Sequence, residues 1–383
     1  IVPMSDSDVE TKMLGDTTPI LKKVVITNFR GIKSLTITMP DAKTPRSRTY
    51  RTELGRLSAS YNESSPETCV PSMVLLGENG AGKTDVLQAI ALALLSDQHR
   101  NQSLLHLPPY NELLHKGESK GKIEVDMSTG TFQFEFTASG GTQKYIPHRT
   151  GHPTPPVVVL GYGTFRDILL ENRRAEGEPF PICNLFDNQD ALLKVKWNPD
   201  EIEEVLKMAM RLVPNAVLRF TAAFGAEIQD IRVEHCDDGE IPPHHHSNGH
   251  RTVVFLVCDI IHKLLHFAKQ SSALSLSKQI RFTKAVILID ELESHLHVSW
   301  KREIMPRLRE EFPQVSFIVT TQDPFLTLSM NKDEVLRLYR QKNGEIGQEP
   351  INCEEIRTTT LEEIMDTDAF GTPEGWYDTL ITD

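Results

Sequence analysis

The spacing of apolar side chains along this chain switches between a period of two and a helical period, and the switches mark out an α/β fold. Residues 121–137, GKIEVDMSTGTFQFEFT, alternate apolar and polar positions on both sides of a Ser-Thr-Gly turn, the pattern of a β-hairpin attached to a larger lobe. Elsewhere the apolar runs are unbroken. Residues 74–76 (VLL) form an apolar strand that runs up to Gly77, and residues 285–289 (AVILI) run up to two carboxylates, as a buried parallel strand does. A further strand is expected within residues 312–325, FPQVSFIVTTQDPF. The helical period governs DVLQAIALALL at 85–95, an amphipathic helix, and DEIEEVLKMAMRLV inside a helically patterned stretch, 185–220. A long helix is expected from near Arg251. No heptad pattern is sustained over several turns, so long coiled-coil arms are not expected, and no internal repeat is present.

The chemistry sits where these elements end. Gly77-Glu78-Asn79-Gly80-Ala81-Gly82-Lys83-Thr84 satisfies G-x-x-x-x-G-K-[ST] between a strand and a helix. Its glycines let successive backbone N–H groups turn toward phosphates, Lys83 reaches the β- and γ-phosphates, and Thr84 offers a hydroxyl to Mg²⁺. The expected ligand is ATP. About two hundred residues on, the second apolar strand delivers Asp290 and Glu291 to a sheet edge. Asp290 is expected in the Mg²⁺ shell and Glu291 as the group that polarises the attacking water, since phosphoryl transfer needs neutralised charge and an oriented nucleophile.

These motifs, with four other stretches, resemble the ABC-type ATPases of the RecF and SMC kind. Residues 22–40, KKVVITNFRGIKSLTITMP, are similar to the opening hairpin of those heads, where Arg30 in the Asn28-Phe29-Arg30-Gly31 turn approaches the nucleotide. Ser247, Asn248, Gly249, His250 and Arg251 resemble the signature segment, and the resemblance implies that they face the γ-phosphate held by a second copy of the chain. Ser294, His295, Leu296 and His297 resemble the D-loop at that same interface. Gln322 stands where the family carries a switch histidine. A glutamine amide donates to a phosphate but neither carries a proton nor becomes cationic, so slow hydrolysis is expected. Residues 157–174, VVVLGYGTFRDILLENRR, resemble the GYGxxR segment of compact ATPases of anti-phage defence, the Septu and retron-associated type. PICNLFDNQDALLKVKW and IRTTTLEEIMDTDAFG follow in the order shown by those proteins.

The resemblance implies an ABC-type, RecF- and SMC-head-like P-loop ATPase fold with a mixed sheet, an N-terminal β-hairpin lobe and a small inserted helical subdomain. The expected division is residues 1–160 for the nucleotide-binding lobe, 161–240 for the inserted subdomain and 241–383 for the C-terminal lobe. It further implies a homodimer or higher oligomer that closes around ATP and Mg²⁺ and controls a separate effector nuclease. A RecF-like repair factor that loads on DNA and a hydrolysis-poor, ATP-bound scaffold are the alternative readings. A transporter motor suits neither the opening hairpin nor the insertion. The chain shows no nuclease constellation of its own.

Composition narrows the partners. With 383 residues, 39% of them hydrophobic, the chain can bury an extended core. A net charge of −12 argues against a broadly basic nucleic-acid surface, so any such contact must be local. Residues 41–67, carrying Lys43, Arg46, Arg48, Arg51 and Arg56, are the place for it, although their Ser, Thr and Pro content reads first as a solvated loop. Neither a membrane span nor a signal peptide's apolar core is visible, and Cys69, Cys183, Cys236, Cys258 and Cys353 lack CxxC spacing, which points to a reducing, cytoplasmic setting. His244, His245 and His246, near His235 and Cys236, lack the spacing of a closed metal site and read as a solvated loop.

Overall fold

The computed structural model describes residues 20–41, 69–95, 113–139, 142–150, 158–164, 185, 199–212, 216–220, 231–235, 248–268, 276–294, 296 and 298–351. Among them, in chain order, the strands are β1 (Leu21–Phe29), β2 (Ile32–Thr38), β3 (Met73–Leu76), β4 (Lys120–Met127), β5 (Gly130–Ser139), β6 (Thr142–Thr150), β7 (Val158–Tyr162), β8 (Ala216–Phe220), β9 (Ile231–His235), β10 (Ala285–Ile289), β11 (Val315–Thr321), β12 (Val335–Arg340) and β13 (Ile346–Pro350). The helices are α1 (Lys83–Leu94), α2 (Pro199–Leu212), α3 (Asn248–Ala268), α4 (Leu276–Phe282), α5 (Val298–Lys301), α6 (Ile304–Glu311) and α7 (Pro324–Thr327).

Two larger sheets organise the core. One is antiparallel, in the order β2-β1-β4-β5-β6, and contains the expected opening hairpin together with the 121–137 hairpin. Strands β4 and β5 alternate because only one face of the sheet is covered. In β4 every second residue, from Gly121 to Met127, is buried. The other sheet is mixed, in the order β13-β12-β3-β11-β10-β7. Strands β12, β3, β11, β10 and β7 run parallel, with β7 at one edge, and β13 closes the other edge antiparallel to β12. All five residues of β10 and all seven of β11 are buried, which is why their apolar runs show no alternation.

Helix α1 lies between the sheets, packing on β1, β4 and β5 from one and on β7, β10 and β11 from the other. The sequence suggested an amphipathic helix, yet ten of its twelve residues are buried. Alanines 89, 91 and 93 let the two sheets approach it from both sides. Parallel strands leave their C-terminal ends on one edge, so Leu76, Tyr162, Ile289 and Thr321 all end beside the start of α1.

Within the span expected as an inserted helical subdomain, α2 is a helix whose Val205, Met208, Ala209 and Leu212 join the main core, packing on α3, α4 and α6. The end of the stretch expected to be helical, 216–220, is instead β8, paired antiparallel with β9. The basic insertion at 41–67 falls outside the described residues apart from Asp41, as do His244, His245, His246 and Cys236.

Candidate functional site

Local sterics dictate the loop after β3. Gly77 donates its N–H to the Thr321 carbonyl at 3.2 Å, and a Cβ built on it would lie 2.3 Å from the Leu338 carbonyl oxygen of β12, so no larger residue fits. Gly80 and Gly82 have φ of 79° and 82°, the left-handed region that glycine occupies without strain. Gly82 then opens α1 by accepting from Val86 N–H at 3.0 Å. Glu78, Asn79 and Gly80 are exposed at the tip, where Arg340 of β12 donates to the Gly80 carbonyl at 3.1 Å. Ala81 is buried beneath them.

Lys83 folds back under this loop, its ammonium donating to the Gly77 and Glu78 carbonyls at 2.6 and 2.8 Å. It is 6% exposed. Burial pulls its pKa below the usual lysine value, against the opposing attraction of Asp290, Glu291, Glu293 and Glu78. The loop thus holds one cation facing a set of carboxylates.

Three hydroxyls converge on Asp290. Thr84 Oγ1 donates to Oδ2 at 2.7 Å, Thr320 Oγ1 to Oδ1 at 2.5 Å, and Thr164 Oγ1 approaches Oδ2 at 3.4 Å. The Asp290 N–H is held by the Tyr162 carbonyl at 2.8 Å. Thr84 and Asp290, expected together on the metal, are therefore adjacent oxygen donors from the loop and from the end of β10. No cluster of three or more His, Cys, Asp or Glu suited to a metal occurs among the described residues. Two protein oxygens beside a phosphate loop suit Mg²⁺, which keeps several waters and takes its remaining ligands from phosphates.

Glu291 sits at φ 47°, and its N–H donates to Thr320 Oγ1 at 2.7 Å. Its carboxylate receives Gln322 Nε2 at 2.5 Å and Ser294 Oγ at 3.3 Å. The expected base, the expected switch residue and the first expected D-loop residue are thereby in direct contact. Gln322 is also fixed through its backbone, whose N–H donates to Glu293 Oε1 at 2.7 Å. Glu293 is buried, and burial raises its pKa above the usual carboxylate value despite the hydrogen bond from Gln322. Leu296 is buried, while His295 and His297 lie outside the described residues.

Arg30, at the tip of the β1–β2 hairpin, is fastened to the first turns of α1. Its Nη1 donates to Asp85 Oδ1 at 2.9 Å and to Gln88 Oε1 at 2.5 Å, and its guanidinium lies 5.6 Å from the Phe29 ring centroid. Of the expected signature segment, Asn248, Gly249, His250 and Arg251 form the first turn of α3, which starts three residues before the expected Arg251; Ser247 lies outside the described residues. Thr320, Glu293 and Arg340 carry no motif, and Thr164 fills a variable position of the GYGxxR-like segment. Beyond that segment, the sequence signal for this set is the Thr-Thr pair that ends the mostly apolar β11.

The matches to known proteins follow this geometry. Residues 178–329 match the family described as "AAA domain, putative AbiEii toxin, Type IV TA system", a span containing Asp290 and Gln322 but not the phosphate loop. The Septu protein PtuA of Bacillus mycoides (strain KBAB4) is 27% identical over 95% of this chain and 47% of its own length. The Retron Ec83 probable ATPase of Escherichia coli is 27% identical over 56% of this chain and 38% of its own. The chain thus spans less than half the length of the curated relatives it matches. The SMC head domain from Thermotoga maritima aligns with 87% of this chain and 99% of its own at 12% identity, with a TM-score of 0.46. No described helix is long and apolar enough to cross a membrane. The chain thus joins a phosphate-loop sequence to an α/β fold, and it counts Septu PtuA and the Retron Ec83 probable ATPase among its sequence relatives.

Proposed function

We propose that this chain binds and hydrolyses ATP, and that it does so as one head of a dimer closing around the nucleotide. The observation that carries this is the contact between Thr84 and Asp290, 2.7 Å across, with Lys83 under the loop and the Glu291–Gln322 pair beside it. Lys83 would exchange its two carbonyl acceptors for β- and γ-phosphate oxygens. Thr84 and Asp290 would hold Mg²⁺, which when bound supplies charge neutralisation across the phosphates. Glu291, aimed by Gln322 and Ser294, would accept hydrogen bonds from the attacking water. Gly249 and its neighbours at the start of α3 would offer helix N–H groups to the other copy's γ-phosphate. The relative printed as a probable ATPase supports the hydrolysis reading; the further role, as the ATPase component of a defence complex that regulates a separate effector nuclease, extends the resemblance to the Septu and retron-associated proteins.

Two variants test the reading. Lys83→Ala removes a charge-assisted contact to phosphate and should weaken binding of a fluorescent ATP analogue by roughly 10²-fold. Unchanged affinity would sink the phosphate-loop assignment. Glu291→Gln should keep analogue affinity and lower phosphate release by roughly 10²–10⁴-fold, with dimers accumulating in light scattering. The scaffold reading is favoured by one feature, the short Gln322–Glu291 hydrogen bond, which ties up the carboxylate; a wild-type rate equal to that of Glu291→Gln would establish it.

A further inference from the structure

Helix α3 carries an ion pair through the interior. Asp259 and Lys263, one turn apart, are both 0% exposed, and the Lys263 ammonium lies 2.8 Å from Asp259 Oδ2. The Tyr162 hydroxyl donates to that same oxygen at 2.8 Å, and the ammonium sits 5.1 Å from the centroid of the tyrosine ring. Such a pair adds little stability over well-packed apolar residues, because desolvating both charges cancels most of their attraction. Its distinctive contribution is orientation, since charged and hydroxyl partners hold one geometry where apolar side chains would slide.

The triad lies between two parts of the proposed site. Tyr162 ends β7, its carbonyl holds the Asp290 N–H, and Thr164 two residues on approaches the Asp290 carboxylate. Asp259 lies about three helical turns into α3, whose first turn contains Gly249. One tyrosine thus touches Asp290 through its backbone and α3 through its hydroxyl.

We propose that Tyr162, Asp259 and Lys263 are positioning residues that lock α3 to the strand ends bearing Asp290, so that nucleotide bound in one copy sets the orientation of the α3 N-terminus it offers to the other. This rests on the ATP-closed dimer proposed above. Two titratable groups beside the pair on α3 are uncharged at neutral pH. Burial lowers the His262 pKa to about 4, keeping the ring neutral, and raises the Cys258 thiol to about 12, keeping it protonated.

Hydrogen exchange of the full chain, with and without ATPγS and with ATP turnover measured alongside, tests this. In wild type, ATPγS should slow exchange both at residues 77–84 and in the first two turns of α3. Tyr162→Phe removes only the hydroxyl. It should bind ATPγS within about twofold of wild type and keep protection of the loop, yet lose α3 protection and turnover by roughly 5–10-fold. The double replacement Asp259→Leu/Lys263→Met, which leaves no lone buried charge and should therefore fold, is expected to uncouple in the same way. Undiminished α3 protection in Tyr162→Phe would overturn the proposal. So would wild-type protein that binds ATPγS and protects the loop but leaves α3 unchanged, and in that case the ATP-binding reading survives. Failure of wild type to bind ATPγS overturns both.

Discussion

The contact between Gln322 and Glu291 makes a rate prediction that can be worked from its geometry. Gln322 Nε2 lies 2.5 Å from Glu291 Oε1, while Ser294 Oγ donates to the other carboxylate oxygen at a longer 3.3 Å. A hydrogen bond to an ionised acceptor is worth about 1.5–3 kcal/mol. Gln322 is exposed, so solvent competes and the low end applies. Removing about 1.4 kcal/mol that holds the carboxylate in its aimed rotamer should slow turnover roughly tenfold. Gln322→Ala should therefore lower kcat about tenfold while leaving the ATPγS Kd within about twofold, because Lys83, Thr84 and the loop N–H groups are untouched. Gln322→His gives an independent check. An amide does not titrate, so the wild-type profile should have no step from this position; an imidazole should introduce one near pH 6.5. Phosphate release from pH 5.5 to 8.5 on all three proteins decides the matter. Equal kcat in Gln322→Ala, together with superimposable wild-type and Gln322→His profiles, would refute the idea that this residue aims the water-polarising group.

Two further substitutions probe the scaffold of the site. Gly77→Ala would place a methyl 2.3 Å from the Leu338 carbonyl, forcing β12 and the loop apart. A cost of roughly 1–3 kcal/mol and a melting temperature lower by several degrees are expected, with weaker ATPγS binding; thermal scans beside binding titrations measure both. Glu293→Gln keeps an acceptor for the Gln322 N–H and removes a carboxyl whose folded-state pKa is raised by burial. For a raised acid the penalty is absent below the unfolded value near 4.5 and develops as pH climbs through the folded one. The variant should consequently be the more stable protein at pH 7, with the gap closing toward pH 4, as urea titrations at both pH values would reveal.

Elements with a private period could be read from the chain alone. Strands β4 and β5 alternate, β10 is uniformly apolar and β11 mostly so, and the loop from Gly77 to Thr84 announces itself by spacing. What could not be read depends on partners distant in sequence. The five-residue AVLRF run that forms β8 has no period of its own and borrowed a helical one from its neighbour α2. Helix α1 looked two-faced because its polar residues Asp85 and Gln88 fall near one end, whereas sheets on both sides bury ten of its twelve residues, Lys83 and Gln88 among them. Thr164, Thr320 and Glu293 reach Asp290 and Gln322 across 126, 30 and 29 residues, separations at which no local spacing rule operates. Gly77 was legible as a loop glycine, but its contact with Leu338 follows from β12 pairing with β3.

Backbone strain falls on the same residues by an independent route. Among the described residues, Asn28, Arg30 and Glu291 are the non-glycine positions with φ in the left-handed region, at 54°, 49° and 47°. Asparagine tolerates that region, whereas arginine and glutamate are held there at a cost on the order of 1–3 kcal/mol each. Both are held by contacts from other elements: Arg30 by Asp85 and Gln88 of α1 and by its N–H on the Leu113 carbonyl, Glu291 by Thr320, Gln322 and Ser294. In neither place would folding alone select these side chains, since glycine would relieve the strain. Arg30 stands beside the start of the phosphate-loop helix and Glu291 directly after Asp290. The two strained residues therefore adjoin the Thr84–Asp290 contact from either side, Arg30 through Asp85 and Glu291 through its chain neighbour, which is where the proposed triphosphate and its attacking water would lie.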